Sequence, residues 1–212
     1  MYTPKDFEET RIDILHQLMK SHPLASLVTL GDAELIVNHL PFLIDPSCGL
    51  FGTLRGHVAR ANPVWQAFSH TVESVVIFQG PESYITPSWY PSKEAHGKVV
   101  PTWNYAVVHA YGYPRVIENA AWLRAHVTEL TNKHESTQAL PWKVSDAPQD
   151  FTDKLINAIV GIEISISTIR GKWKVSQNRP MADRLGVVAG LESLGGEQAR
   201  AMASLVTQLI DP

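Results

Sequence analysis

The first periodic pattern along the chain is helical. Ile12, Leu15, Leu18 and Met19 recur on one side of RIDILHQLMKSHP, and Pro23 stops the run. Two β-rich runs follow, LASLVTL and ELIVNHLPFLID, separated by Gly31-Asp32. They predict a hairpin whose strands are both buried on more than one side. CGLFGTLRG predicts a third strand, and VESVVIFQG a fourth. Between them Asn62-Pro63 offers an N-cap and a first-turn proline for a short helix, PVWQAFSH.

Further on, NYAVVHAYGYPRVI alternates. Tyr105, His109, Tyr111 and Tyr113 are bulky, whereas Ala106, Val108, Ala110 and Gly112 are small or apolar. A period of two predicts a strand with one smooth face. Asn119 can cap AAWLRAHVTELTNKHE, with Leu123, Val127 and Leu130 on one side. LPWKVSDAPQDF is expected to be a plain connection. In IVGIEISISTIRGKWKVSQ the apolar positions run Ile162, Ile164, Ile166, then shift phase to Ile169, Trp173 and Val175. A one-residue phase shift predicts a bulge or bend. Two short helices are expected in the tail, near MADRLGVVAGLE and EQARAMASLVTQLI.

Six or seven strands with short, mostly antiparallel connections do not make βαβ alternation. The pattern predicts an α+β chain, mainly β: a small antiparallel barrel with flanking helices and a helical C-terminal tail. The 212 residues suit a single domain, with a core over about 1–178 and an extension over about 179–212.

Composition narrows the function classes. A net charge of −3 gives no general attraction to nucleic acid or anionic membrane. One cysteine, Cys48, excludes a disulfide framework. The polar N-terminus, MYTPKDFEETR, does not read as a signal peptide, and no apolar run reaches membrane-spanning length. A cytoplasmic location is expected. The common nucleotide-loop and nucleophile-elbow motifs are absent. His16, His22, His70, His126 and His134 are expected on or near helix ends and surfaces, without metal-ligand spacing.

Three stretches carry candidate chemistry. In GTLRGHVARANP, Thr53, Arg55, His57, Arg60 and Asn62 crowd a strand end just before a helix start, an arrangement that suits a phosphate; it also suits a solvated turn. GPESYITPSWYPSKEAHGKVVPTWNY places Tyr84, Trp89, Tyr90, Trp103 and Tyr105 in a segment full of Pro and Gly. Those rings either wall a flat ligand, with Ser88, Thr102 and Asn104 as polar partners, or close the barrel end or a subunit interface. KWKVSQNR sets Lys174, Gln177 and Arg179 at the end of the longest strand, where they are either donors to a ligand or ordinary solubilising groups.

Taken together, SYITPSWYPSKEAHGKVVPTWNYAVVHAYG, RGHVARANPVW, KWKVSQNR and DRLGVVAGL resemble the PaiB-type FMN-binding proteins, a family described as negative transcriptional regulators. The resemblance spans nearly the whole chain. It implies a split β-barrel like that of pyridoxamine 5′-phosphate oxidase, paired as a homodimer with FMN sites at the interface. By that resemblance Thr53, Arg55, Gly56, His57 and Arg60 belong to the phosphate-binding stretch. Asn38, His39 and Leu40 would run along the ribityl chain and ring. Ser88, Trp89, Trp103 and Asn104 would wall the pocket, and Lys174, Gln177 and Arg179 would add donors. It further implies redox or sensing activity, an FMN-dependent oxidoreductase being one form. No clear DNA-recognition helix precedes the strands, so a regulatory effect is expected to be indirect. Two alternatives stand beside this reading: a DNA-binding regulator without flavin, and a haem-binding barrel with His57, His96 or His109 as axial ligand.

Overall fold

Helix α1 spans Ile12–Ser21 and buries Leu15, Leu18 and Met19, the stripe its spacing predicts. It belongs to a computed structural model that describes residues 1–31 and 34–210. Ten strands and six α-helices make up the described chain: β1 Glu8–Glu9, β2 Leu24–Leu30, β3 Leu35–Pro41, β4 Leu43–Asp45, β5 Thr53–Ala59, β6 Ser74–Ile85, β7 Thr102–Gly112, β8 Pro114–Ile117, β9 Ile159–Ser165 and β10 Thr168–Lys174, with α2 Ser92–His96, α3 Ala120–Glu135, α4 Gln149–Asn157, α5 Met181–Leu194 and α6 Glu197–Thr207. The strand pairings whose registers are defined are all antiparallel. This is the α+β split-barrel class expected.

The chain forms two compact units. One contains Met1–Ser21, Gln79–His109 and the described residues from Arg170 on; the other contains His22–Phe78 and Ala110–Ile169. Strands β6, β7 and β10 contribute residues to both. In the first unit the strand order is β1-β10-β7-β6, with α1, α2, α5 and α6 alongside. Here Leu15 and Leu18 of α1 lie against Gly171 of β10 and Gly80 of β6, glycines with no room for a Cβ. Helices α5 and α6 pair as a hairpin and bury Val187, Leu191, Met202 and Val206.

The second unit holds a sheet of order β4-β5-β9-β8 and the pairing β6-β2-β3. Leu54, Val58, Val160, Ile162 and Ile164 form its buried layer. Phe42 and Phe78 meet edge-on there, 6.3 Å apart. The chain does break its strand here, though at Ile166–Ser167 rather than after Thr168 as the phase shift predicts: β9 ends at Ser165, Ile166 N–H donates to the Gly52 carbonyl at 3.0 Å, Ser167 N–H donates to that of Tyr111 at 2.9 Å, and β10 begins at Thr168. The alternation in β7 also holds, with Ala106, Val108 and Ala110 fully buried.

Several expectations need correcting. β3 is not buried on more than one side; it ends its sheet, and Leu35 and Val37 are exposed. Of the expected Gly31-Asp32 separator, Asp32 lies outside the described residues; Gly31 N–H donates to the Glu34 carbonyl at 2.8 Å. The third strand begins only at Thr53, because Gly49 and Gly52 adopt positive φ in a turn before it. PVWQAFSH makes a single 3-10 turn, Pro63–Gln66, although Asn62 does cap it. β6 continues to Ile85, well into the aromatic segment, and LPWKVSDAPQDF leads into α4. β8 is separate from β7 and pairs with β9. His16 and His126 are buried, at 6% and 1% exposure, rather than on the surface.

Candidate functional site

Two clusters carry the candidate chemistry, one in each unit. In β5, Thr53, Arg55 and His57 alternate with buried Leu54, Gly56 and Val58 and so share one face. Arg55 meets Glu129 of α3 through both terminal nitrogens, at 2.8 and 2.9 Å. His57 Nδ1 lies 3.1 Å from His126 Nε2 of the same helix, and Trp122 stacks on His126 at 5.2 Å. Burial pushes the imidazole of His57 down from its usual pKa. Burial, and then the neighbouring His57 and Arg55, take His126 down to about 4. Both rings are therefore neutral near pH 7, and the close N···N contact is a hydrogen bond between neutral imidazoles. Arg55 Nε and His126 Nδ1 remain buried without a partner.

Arg60, at the end of this stretch, is also engaged. Its guanidinium donates to Glu118 at 2.5 Å and to the carbonyls of Asn157 and Ile159 at 2.9 and 3.3 Å. Thr53 donates to the Cys48 carbonyl at 2.9 Å. Asn62 donates to Asn38 Oδ1 at 2.7 Å, bringing together two side chains read from separate motifs. His39 is exposed and bonded to Ser26 at 3.1 Å; Leu40 is core. Gly56 lies against Phe42, with no space for a side chain. The side chains expected to hold a phosphate are thus turned towards protein partners, and Arg55 Nε is buried with no partner among the described residues.

In the other unit, the Trp89–Ser92 part of the aromatic segment packs on α5. A Cβ on Gly186 would sit 2.0 Å from the Trp89 carbonyl oxygen, and one on Gly190 would sit 2.2 Å from the Trp89 ring. Ser92 donates to buried Asp183 through its backbone N–H at 3.1 Å and its hydroxyl at 2.7 Å. Tyr90 is 2% exposed, with the Arg179 guanidinium 4.8 Å from its ring centre. Burial is the main force that raises its phenol pKa. Ser88 and Trp103 are exposed, and Trp103 meets Tyr84 edge-on at 6.1 Å.

KWKVSQNR forms an organised turn next to these strands. Ser176 holds a left-handed φ of 67°, uncommon outside glycine, and is buried with its hydroxyl accepting from Asn104 at 2.9 Å. Gln177 clamps the turn by accepting from Val175 N–H at 2.8 Å and donating to the Trp173 carbonyl. Lys174 donates to the Thr102 hydroxyl and, at 2.8 Å, to the Trp103 carbonyl. Its pKa is lowered by burial and then by the charges of Lys172 and Arg179. Lys172, absent from the expected set, is 9% exposed; it donates to the Tyr2 carbonyl at 3.1 Å and faces Tyr105 at 5.3 Å. Alternation along TIRGKWK puts it one pleat from Lys174, a signal the motif reading passed over.

Of the histidines considered as haem ligands, His57 is bound to His126. His96 Nδ1 accepts from Lys98 N–H at 3.0 Å. Burial lowers the pKa of His109, with further contributions from the N-terminus and Arg170. No helix among the described residues is long and apolar enough to cross a membrane.

Residues 1–168 match the family described as "Putative FMN-binding domain". An uncharacterised protein of Emericella nidulans is 36% identical, covering 98% of this chain and 97% of its own length. The Bacillus subtilis protein "Protease synthase and sporulation protein PAI 2" is 30% identical, covering 97% of this chain and 96% of its own. Among solved structures, the FAD and haem binding protein of Mycobacterium smegmatis aligns with a TM-score of 0.57 at 13% identity, covering 79% of this chain and 73% of that one. The solved structure shows a shared fold; the family membership rests on the sequence matches, and by them the chain belongs to the PaiB-type FMN-binding domain family.

Proposed function

We propose that the protein binds FMN and acts as a flavin-dependent redox or sensing protein, any effect on transcription being exerted indirectly. The observation that carries the reading is the family match over residues 1–168. The half-exposed Tyr84–Trp103 pair adds aromatic surface of the kind that packs against a ring system. FMN supplies electron-transfer chemistry when bound; the protein contributes position and electrostatics. The test is an absorbance spectrum after incubation with FMN or with FAD and removal of the excess. The two flavin bands should persist at about one FMN per chain, with FAD retained less. Failure to retain FMN sinks the reading, and preferential retention of FAD corrects the cofactor.

We further propose a homodimer built on the exposed face of the β2–β3 hairpin. Leu30 pairs with Leu35 and Val28 with Val37, and Leu30, Leu35 and Val37 are exposed. A contiguous apolar face on an edge strand is a surface that proteins normally cover. A second copy is the simplest self-complementary partner. Sedimentation should show a dimer, and the double change Leu35→Glu, Val37→Glu should give the 23.5 kDa single chain. Duplex DNA added at low salt should leave sedimentation unaltered, as expected for a chain of net charge −3. A wild-type monomer overturns the dimer, and co-sedimentation with DNA overturns the indirect regulatory role.

A further inference from the structure

The described arginines that form ion pairs, Arg11, Arg55, Arg60, Arg115 and Arg124, all do so with carboxylates. Lys172, Lys174 and Arg179 differ. Among the described residues none of the three has a carboxylate within ion-pair distance. Their partners are neutral: the Tyr2 carbonyl and the Tyr105 ring for Lys172, the Thr102 hydroxyl and Trp103 carbonyl for Lys174, and the Tyr90 ring for Arg179. Two of the three N–H donors of Lys174 are used by these partners, which leaves one for a ligand. Lys172 is nearly buried, so the cluster holds charge where water screens it poorly.

The turn that carries these side chains is held in place. Buried Ser176 keeps its left-handed backbone against Asn104, and Gln177 ties Val175 to Trp173. Non-glycine residues in this conformation persist where surrounding contacts enforce them, and such outliers gather at functional sites. A solubilising surface would not need a buried cation, a constrained turn and two neighbouring cations with no carboxylate partner among the described residues. An oxyanion would offset their mutual repulsion and satisfy the remaining donors.

We propose that Lys172, Lys174 and Arg179 form an oxyanion-binding site that takes the phosphate or carboxylate of a ligand. The site stands on these residues and does not require the flavin reading. It accounts for an anionic group without breaking the Arg55–Glu129 and Arg60–Glu118 pairs.

The experiment is a titration of the full chain with inorganic phosphate at constant ionic strength, followed by amide NMR shifts. Saturable shifts should be confined to Thr102–Asn104 and Trp173–Arg179. Binding should weaken about tenfold or more in Lys174→Met and be largely kept in Lys174→Arg, since only the second retains the charge. Spectra elsewhere report whether each variant is folded. Shifts that do not saturate, that spread over the surface lysines, or that survive in folded Lys174→Met overturn the proposal. If Lys174→Met does not fold, Arg179→Met provides the same comparison. Two further arms identify the source of the anion. Should FMN shift these amides and compete with phosphate while riboflavin does not, the anion is the flavin phosphate. Should FMN be retained while the amides still answer to phosphate, the site takes the oxyanion of a second ligand. A phosphate response in a protein that retains no flavin leaves this site standing and removes only the FMN reading.

Discussion

Gly186→Ala will destabilise the protein by about 2 kcal/mol in urea unfolding, and Gly190→Ala by a similar amount. Overpacking typically costs about 1–3 kcal/mol, and alanine recovers up to about 1 kcal/mol of helix propensity, so clash outweighs propensity where the neighbour cannot move. The two positions differ in what they meet. The Gly186 Cβ would strike the Trp89 carbonyl oxygen at 2.0 Å, which is backbone; the Gly190 Cβ would strike the Trp89 ring at 2.2 Å. Trp89→Ala should therefore rescue Gly190→Ala and fail to rescue Gly186→Ala. A double-mutant cycle measures the difference directly. Equal rescue of both, or of neither, would show that α5 is not seated on Trp89 in this way.

The second large effect is on pH. The folded-state pKa of His126 lies at about 4, below its ordinary 6.5. Between those values the unfolded chain takes up a proton that the folded chain refuses, so stability rises with pH through the window. The contribution is fully present above pH 6.5 and is lost as pH falls to about 4. At its limit the loss is about 3 kcal/mol, from about 1.4 kcal/mol per pKa unit. His57, shifted the same way by burial, adds in the same direction. Carboxylates titrate in part of this range, so the diagnostic quantity is a difference in slope. Urea midpoints measured at pH 7, 5.5 and 4.5 should fall steeply in the wild type and less steeply in His126→Leu, whatever the baseline cost of that change. Parallel slopes would place the acid sensitivity elsewhere.

The physical origin of this pair shows why it was not readable beforehand. His57 and His126 are 69 residues apart, on β5 and α3. Local pattern put His126 on a helix surface, because α3 is only weakly amphipathic and polar residues occur all round it. Burial was decided by the seating of α3, with Leu123 and His126 turned inward. Arg55 and Arg60 met the same fate. Their residue types and spacing suited a phosphate, but Glu129 comes from α3 and Glu118 from the loop before it, which no local window connects to β5.

What the sequence determined by itself is whatever depends on neighbours a few residues away. The period of α1, the alternation of β7, the caps at Asn62 and Asn119 and the existence of a bend between β9 and β10 all follow from side chains within one or two turns or pleats. The family was also legible, because its long motifs are local strings. Tertiary structure alone decided the rest. It seated Trp89 on two helix glycines about 100 positions away, left Leu35 and Val37 on an uncovered strand, and, among the described residues, assigned a carboxylate to Arg55 and Arg60 but none to Lys172, Lys174 and Arg179. Burial and charge pairing are set by long-range packing, and a local pattern can state which groups seek partners without stating which ones find them.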